Sequence, residues 1–196
     1  MVSNFSYGYF TEIHSMRRKL IIALLLLVFL MIIWIVRIPS FSDEALMRLA
    51  EDKVKQYQPP KSSFVIIVDY RRPVFADRLY LIDLKKRKIV LRAKVGHAFR
   101  SGFFTPCRFG NIKGSNLSTY GTFQTASDYN GKYGYAMRVV GLDKGINDHT
   151  LKRAIVFHKN YIPVLMYSNG CFTTDEKVNR TLIETTKNGH LLCVVK

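Results

Sequence analysis

The sequence contains few cysteines, prolines and tryptophans, and none of these residue types assigns it to a protein class. Its 196 residues include three cysteines, six prolines and one tryptophan. An odd number of cysteines excludes a scaffold in which every thiol is paired within the chain. Two arrangements remain open: Cys107 pairs with Cys193 and leaves Cys171 free, or all three thiols are reduced. The sequence also has no internal repeat and no low-complexity tract, which excludes a solenoid.

Acidic side chains are scarce as well. The chain has 14 aspartates and glutamates against 30 lysines and arginines, which gives a formal net charge of +16. Nucleic acid, anionic lipid and anionic cell-wall polymer are all attracted by such a field, so the charge by itself selects no partner. The densest basic cluster, residues 85–88, is typical of a solvated hairpin turn. We therefore predict no nucleic-acid binding, because only the net charge would support it.

One apolar run stands out from the mixed pattern of the rest. Residues 20–36 contain no charge, glycine or proline, and as a helix they would span roughly 26 Å, near the lower limit for crossing a bilayer. Trp34 near one end and basic residues at the other are typical of membrane interfaces. We predict an uncleaved transmembrane signal anchor at 20–36, a cytoplasmic tail at 1–19 and a juxtamembrane helix or linker at 37–61. Basic residues flank both ends, so charge does not set the orientation.

The remainder of the chain, residues 62–196, has the pattern of a β-rich domain. Short runs of β-branched and aromatic residues alternate with clusters of turn residues, and a basic turn joins two of these runs as a hairpin. The predicted strands are residues 64–70, 79–84, 89–95, 121–126, 135–140, 154–158 and 190–195. The fold class we predict is mostly β (α+β): a bent or packed mixed sheet with one helix near its end, preceded by a single transmembrane helix.

Two shorter helices are predicted from their end signals. Ser42 can cap a helix over 43–57, whose apolar residues fall on one face. This helix is either a spacer or an element that lies against the domain. Thr173 and Glu176 have the spacing of a capping box, which predicts a second helix that ends near Lys187.

A histidine and a cysteine stand close together near the end of the domain. His158 ends a predicted strand, and the turn-forming run Ser168-Asn169-Gly170 places Cys171 just before the second helix. Backbone amides near Gly170, the positive end of that helix and a nearby imidazole would all lower the pKa of the thiol. The pattern therefore indicates a nucleophile, a base and an oxyanion site within about twenty residues.

Other assignments of the same residue types stay open. Cys193 lies in an apolar strand and is typical of a buried structural thiol, whereas Cys107 lies in a polar loop without a rigid frame. His190 is a second candidate base for Cys171, and His158 can itself be an ordinary core histidine. No two histidines stand at a usual chelating spacing, so we predict no metal site.

Several blocks in this part of the chain follow one another in a recognisable order. They are Val95-Gly96-His97 with Ser101-Gly102, Gly114-Ser115 with Ser118-Thr119-Tyr120-Gly121, the run 141–148, the run 153–158, and His158 followed by Ser168-x-Gly170-Cys171. From about residue 64 to the C-terminus the chain resembles the YkuD-type L,D-transpeptidase catalytic domain, in particular its divergent second subgroup. The hallmark of that family is a histidine followed by Ser/Thr-x-Gly-Cys.

Together with the anchor predicted from the apolar run, the resemblance implies a membrane-anchored bacterial enzyme of the cell wall. Cys171 would attack the carbonyl of the diamino-acid residue that precedes a terminal D-alanine in a peptidoglycan stem tetrapeptide. His158 would relay protons, and amides near Gly170 and Cys171 would hold the oxyanion. An amine of a second stem would resolve the acyl-enzyme as a 3–3 cross-link, another amine would be attached instead, or water would release the product. An L,D-carboxypeptidase and a catalytically inactive peptidoglycan-binding module are the alternatives.

The resemblance also implies supporting residues and a location. His97, Ser168 and Asn169 would bind or orient substrate, although a satisfied loop histidine and a turn serine explain two of them equally well. No cofactor is implied, and the partner is the peptidoglycan stem peptide, with protein partners and oligomeric state left open. The domain would lie on the extracytoplasmic side of the bacterial inner membrane, on a single-pass anchor. The chain departs from the family pattern at three places: Tyr167 precedes the serine, Phe172 follows the cysteine, and the gap between histidine and cysteine is short. These departures put the substrate preference in question.

Overall fold

The structure, a computed structural model, describes residues 3–36, 40–161 and 166–196. The chain divides into two units between Pro39 and Ser40. The first three positions of the predicted linker, residues 37–39, lie outside the described residues.

The described part of the first unit is one helix, α1 (Ser3–Val36). It begins well before the apolar run and includes the polar residues of the predicted tail. Within the three described ranges no helix is long and apolar enough to cross a membrane, so the prediction of a transmembrane anchor at 20–36 is wrong. The physical reason is length, because seventeen apolar residues rise only roughly 26 Å as a helix, whereas a bilayer core is about 30 Å thick.

The second unit contains, among its described residues, two helices and a set of short strands. The helices are α2 (Asp43–Tyr57) and α3 (Glu176–Thr186). The strands are β1 (Phe64–Asp69), β2 (Leu79–Asp83), β3 (Lys88–Ala93), β4 (His97–Ala98), β5 (Gly121–Gly131), β6 (Gly134–Gly141), β7 (Val156–Lys159), β8 (Tyr167–Ser168), β9 (Phe172–Thr174) and β10 (Leu191–Val195).

Eight of these strands form one mixed sheet. Their order is β3-β2-β1-β10-β5-β6-β7-β9, and β4 pairs with β8 in a second, small sheet. The β1–β10 and β7–β9 pairs are parallel, and the other neighbours in the large sheet are antiparallel. Phe172 on edge strand β9 stacks with Tyr70, just after β1, at a ring separation of 6.4 Å. Four strands lie between β1 and β9 in the sheet, so the sheet bends back on itself as a half-barrel.

The two faces of the sheet carry separate hydrophobic clusters, because alternate residues of a strand point to opposite faces. One cluster packs the apolar stripe of α2 against the strands; it contains Leu46, Met47, Ala50, Val65, Ile67, Tyr80, Ile82, Leu191 and Cys193. The other covers the opposite face and includes Ile66, Val68, Phe157, Phe172, Leu182 and Leu192. Helix α2 therefore lies against the domain and is not a spacer. All three cysteines are free, so Cys107 and Cys193 do not pair.

The start of α3 differs from the sequence prediction. Its N-cap is Asp175, whose side chain accepts a backbone N–H of the first turn, whereas Thr173 belongs to β9. The predicted capping box of Thr173 and Glu176 is therefore wrong. The reason is tertiary, because the parallel pairing of β9 with β7 keeps Thr173 extended opposite His158. Cys171 consequently precedes a strand, and the positive end of α3 does not adjoin its thiol.

Candidate active site

Cys171 closes a tight turn that leads from β8 into β9. The hydroxyl of Ser168 accepts a hydrogen bond from the Gly170 N–H at 3.1 Å and donates one to the Cys171 carbonyl at 2.7 Å. Gly170 has a φ of +129°, and a Cβ there would lie 2.8 Å from Ile155 Cδ1, so the position requires glycine. Ser168 thus has the role of a turn serine, Asn169 is exposed at the tip, and the Gly170 N–H is engaged within the turn.

The thiol of Cys171 is half-buried and protonated at rest. Its Sγ lies 3.7 Å from the carbonyl oxygen of Ala154. Burial raises the pKa of Cys171, and the Val156 N–H and the charge of Arg153 lower that pKa by smaller amounts. The prediction of a lowered thiol pKa is therefore wrong. It relied on a helix end that β9 separates from the cysteine along the chain, and on an imidazole that makes no hydrogen bond to the sulfur among the described residues.

His158 lies on β7, next to the strand that follows Cys171. The parallel register pairs Phe157 with Phe172 and His158 with Thr173, and the two phenylalanine rings stack in the core at 4.9 Å. Because side chains alternate along a strand, His158 lies on the face opposite these rings. Cys171 is two residues before Thr173 and directly precedes β9. The pairing therefore brings Cys171 to the start of the strand that neighbours β7, although no hydrogen bond joins Cys171 to His158 within the described part of the chain.

The imidazole of His158 is buried and neutral. Its Nδ1 lies 2.8 Å from the Lys159 carbonyl, which assigns the ring proton to Nδ1 and leaves the lone pair on Nε2. The ring stacks on Tyr133 at 4.7 Å and lies 6.0 Å from the ring of Tyr161. Burial lowers the pKa of His158. An imidazole in this state can accept a proton during a reaction, but it does not form a standing ion pair with a thiolate.

His97 is held inside the fold by Arg78, a buried arginine that no sequence motif singled out. Nη2 of Arg78 lies 2.8 Å from His97 Nδ1, and His97 Nε2 donates to the Gly102 carbonyl at 2.9 Å. The guanidinium also donates to the Val95 carbonyl at 2.9 and 2.6 Å. Burial and, secondarily, the charge of Arg78 lower the pKa of His97 to about 4. Both ring nitrogens are occupied, so His97 is a satisfied loop histidine in this structure.

The alternative base, His190, is separated from Cys171 in the sheet. It precedes β10, and β5, β6 and β7 separate β10 from β9 in the sheet. Its Nδ1 contacts the carbonyl of Thr186 at 3.0 Å. Over the ranges that the structure describes, no group of three or more histidine, cysteine or acidic side chains is arranged to hold a metal ion. The strand that follows Cys171 therefore neighbours the strand of His158 and not the strand that follows His190.

Three solved structures that are similar to the chain are distant from it in sequence. An L,D-transpeptidase from Mycobacterium smegmatis is 10% identical, with a TM-score of 0.45 over 68% of this chain and 59% of that one. An L,D-transpeptidase from Stackebrandtia nassauensis is 12% identical, with a TM-score of 0.45 over 79% and 65%. The helical cell shape determining protein Pgp2 from Campylobacter jejuni is 11% identical, with a TM-score of 0.47 over 67% and 47%. The chain thus spans less than two thirds of the length of each of these structures.

The compact second unit coincides with one family match. The family model YkuD_2, described as the L,D-transpeptidase catalytic domain, matches residues 40–195. No curated protein sequence matches the chain. The match begins at the residue where the second unit begins, and it confirms the family indicated by the sequence motifs. The chain belongs to the YkuD_2 family of L,D-transpeptidase catalytic domains.

Proposed function

We propose that this chain is a cysteine-dependent L,D-transpeptidase that acts on peptidoglycan stem tetrapeptides through an acyl-enzyme on Cys171. The observation that carries the proposal is the family match over 40–195, combined with the position of Cys171 directly before β9, the parallel neighbour of the strand that carries His158. The sequence supplies two reactive groups of the right kind, and the pairing of β9 with β7 puts their backbone segments side by side. The net charge of +16 suits an anionic polymer as the substrate.

The first half of the reaction forms a thioester. The S–H bond of Cys171 breaks, its proton passes to Nε2 of His158, and the sulfur attacks the carbonyl carbon before the terminal D-alanine. The C–N bond to D-alanine then breaks, and the departing amine takes the proton from the imidazole. Since the imidazole and the thiol are both neutral at rest, the proton moves during the attack. In this step Sγ gives up its contact with the Ala154 carbonyl.

The second half of the reaction decides the product. An amine of a second stem peptide attacks the thioester, the C–S bond breaks and the thiol is regenerated, which gives a 3–3 cross-link. Water in the same role gives a shortened stem, which is the outcome of an L,D-carboxypeptidase. Peptidoglycan lies outside the cytoplasmic membrane of bacteria, so the proposed reaction places the catalytic unit on the extracytoplasmic side.

The test compares the full chain with two cysteine variants. Wild type, Cys171→Ala and Cys107→Ala are incubated with purified tetrapeptide muropeptides, and mass spectrometry follows free D-alanine and cross-linked dimer. Cys107 is exposed, and its thiol donates to the Ser101 carbonyl at 3.3 Å, so Cys107→Ala is the matched control. Dimer from wild type and Cys107→Ala alone supports the proposal, and free D-alanine without dimer changes the assignment to a carboxypeptidase. Muropeptide binding without turnover in all three indicates a binding module, and turnover by Cys171→Ala refutes the mechanism.

A further inference from the structure

The guanidinium of Arg153 lies beside the turn that carries Cys171. Nη1 donates to the Gly110 carbonyl and Nη2 to the Leu117 carbonyl. A Cβ on Gly170 would lie 3.2 Å from Nη2 of Arg153, so the guanidinium adjoins the residue just before the nucleophile. Arg153 therefore bridges the segment 110–117 and the nucleophile turn.

The charge of Arg153 has no acidic partner within the part of the chain that the structure describes. No ion pair formed by the described residues includes Arg153. The two backbone carbonyls each accept a hydrogen bond from it but do not neutralise its charge. Burial lowers the pKa of Arg153, and the interaction with Cys171 raises it. A half-buried cation is costly unless an anion compensates it, and the side chain beside it that can become an anion is Cys171.

Two other ionisable side chains in this part of the fold, those of Tyr70 and His158, are neutral. Tyr70, just after β1, donates to the Gly96 carbonyl at 3.2 Å, and burial raises the pKa of its hydroxyl. His158 on β7 is a neutral imidazole bonded to the Lys159 carbonyl. The buried Arg78 packs on the ring of Tyr70 at 4.9 Å and is bonded to His97. Arg153, on the loop before β7, is thus the cation that adjoins the nucleophile turn.

We infer that Arg153 is a positioning residue that stabilises the thiolate of Cys171, supplying the positive charge that the neutral His158 does not. The inference rests on the proposed function and adds the electrostatic element of the same site. When the S–H bond breaks and the proton passes to Nε2 of His158, the negative charge left on sulfur interacts with a guanidinium that adjoins Gly170 and is already fixed by two carbonyls. A nearby opposite charge shifts a titration by about one to three units.

The test measures thiolate formation directly and does not require turnover. In a Cys107→Ala background, the rate of Cys171 alkylation by iodoacetamide is followed against pH by mass spectrometry. Cys193 is buried in the α2 cluster, which limits its reaction in the folded chain. The variants are Arg153→Gln, which removes the charge, and Arg153→Lys, which keeps it but loses the planar fork. Arg108→Gln is the control, because Arg108 is exposed and donates to a backbone carbonyl at 2.7 Å.

Arg153→Gln should raise the midpoint of the pH–rate profile by about one unit or more, which slows alkylation at pH 7 by about tenfold. Arg153→Lys and Arg108→Gln should keep the parent midpoint. An unchanged midpoint in a folded Arg153→Gln overturns the inference. Equal shifts in the Gln and Lys variants also overturn it, because they indicate that the bridge to the 110–117 segment matters and the charge does not. If Arg153→Gln fails to fold, the Lys variant decides, since a raised midpoint there contradicts the inference.

The two proposals fail in different ways. A normal muropeptide reaction with an unmoved alkylation profile refutes only the role of Arg153. A profile that shifts as expected, in a chain that does not process muropeptides, refutes the proposed function and leaves the stabilised thiolate intact.

Discussion

The sheet face beneath α2 and the edge that carries Cys171 are stabilised by different kinds of contact. Beneath α2, the buried cluster consists of apolar side chains, tyrosine and cysteine, each at most 6% exposed. The other region, formed by β7 and β9 with the β4–β8 pair, is termed the site edge here. Its strands are two to four residues long, and it buries many polar groups. They include Arg78, His97, Ser101, Ser118, His158 and Thr173.

Specific hydrogen bonds hold the loops at the site edge. The Ala98 N–H donates to Ser118 Oγ at 2.8 Å, and the Ser118 N–H donates to Ser101 Oγ at 2.7 Å. Burial of apolar area stabilises a fold without regard to direction, whereas a buried polar group is favourable only when its partner stands at a defined position. Substitutions under α2 should therefore change stability alone, and substitutions at the site edge should also change the chemistry of Cys171 and its neighbours.

The largest effect is expected from Leu46→Ala beneath α2. Leu46 is fully buried, and removal of a buried leucine side chain costs about 2–5 kcal/mol of unfolding free energy. Urea denaturation would measure the loss, with Leu49→Ala as the control because Leu49 is only partly buried. The alkylation rate of Cys171 in the folded protein should not change. An unchanged unfolding free energy would show that α2 is not part of the cooperative unit.

Local patterns predicted the α2 region well. Ser42 caps α2 as expected, and the helix spans the predicted residues 43–57. The strands of the hairpin, β2 and β3, lie within one or two residues of their predicted bounds. These elements depend on apolar periodicity and end signals, both of which are written in neighbouring residues. Their prediction did not depend on contacts between residues that are far apart in the chain.

The site edge was predicted only in part, because its contacts join residues far apart in the chain. The family motif selected Cys171 and His158. The raised pKa of the thiol, however, results from its burial, and α3 follows β9 in the chain and does not begin directly after the cysteine. Arg78 meets His97 nineteen residues later, and neither periodicity nor a motif marks an arginine for burial. The transmembrane helix was predicted from an apolar run whose length is near the lower limit for crossing a bilayer. At that length, apolar composition alone does not decide whether a helix spans a membrane.

The second largest effect concerns acid and His97. Its pKa is about 4 in the fold and near 6.5 in an unfolded chain. Between pH 6.5 and pH 4 the unfolded state binds more protons, so stability falls as the pH falls through this window, by on the order of 3 kcal/mol from this residue. His97→Gln can keep the bonds to Arg78 and to the Gly102 carbonyl without titrating. Its urea unfolding, measured from pH 7 to pH 4, should show a smaller loss than wild type.

The comparison with wild type controls for the other buried histidines of the domain. Burial lowers the pKa values of His158 and His190 as well, and their contributions have the same sign in both proteins. The difference between His97→Gln and wild type therefore isolates His97. Identical pH dependence in the two proteins would show that His97 is not held neutral by burial and Arg78.

A smaller effect is expected where two backbone segments of the site edge approach closely. A Cβ on Gly96 would lie 2.0 Å from Thr173 Oγ1 and 2.5 Å from the Met166 carbonyl. Gly96→Ala should therefore cost about 1–3 kcal/mol, because a backbone oxygen cannot move aside easily. Gly131→Ala is the matched control, since its Cβ would meet only the end of the Tyr129 side chain, at 2.9 Å. If thermal denaturation shows the same loss of stability for Gly96→Ala and Gly131→Ala, the close approach of β4 to β9 is contradicted.

The smallest effect separates the predicted start of α3 from the observed one. If Asp175 is the N-cap, Asp175→Ala should cost about 1 kcal/mol. The buried hydroxyl of Thr173 has no hydrogen-bond partner in the part of the chain that the structure describes, so Thr173→Val should be neutral or slightly stabilising. A capping box at Thr173 would reverse this order. Urea denaturation of both variants at pH 7 distinguishes the two cases, and a cost at Thr173 greater than at Asp175 would mean that α3 begins before β9 has ended.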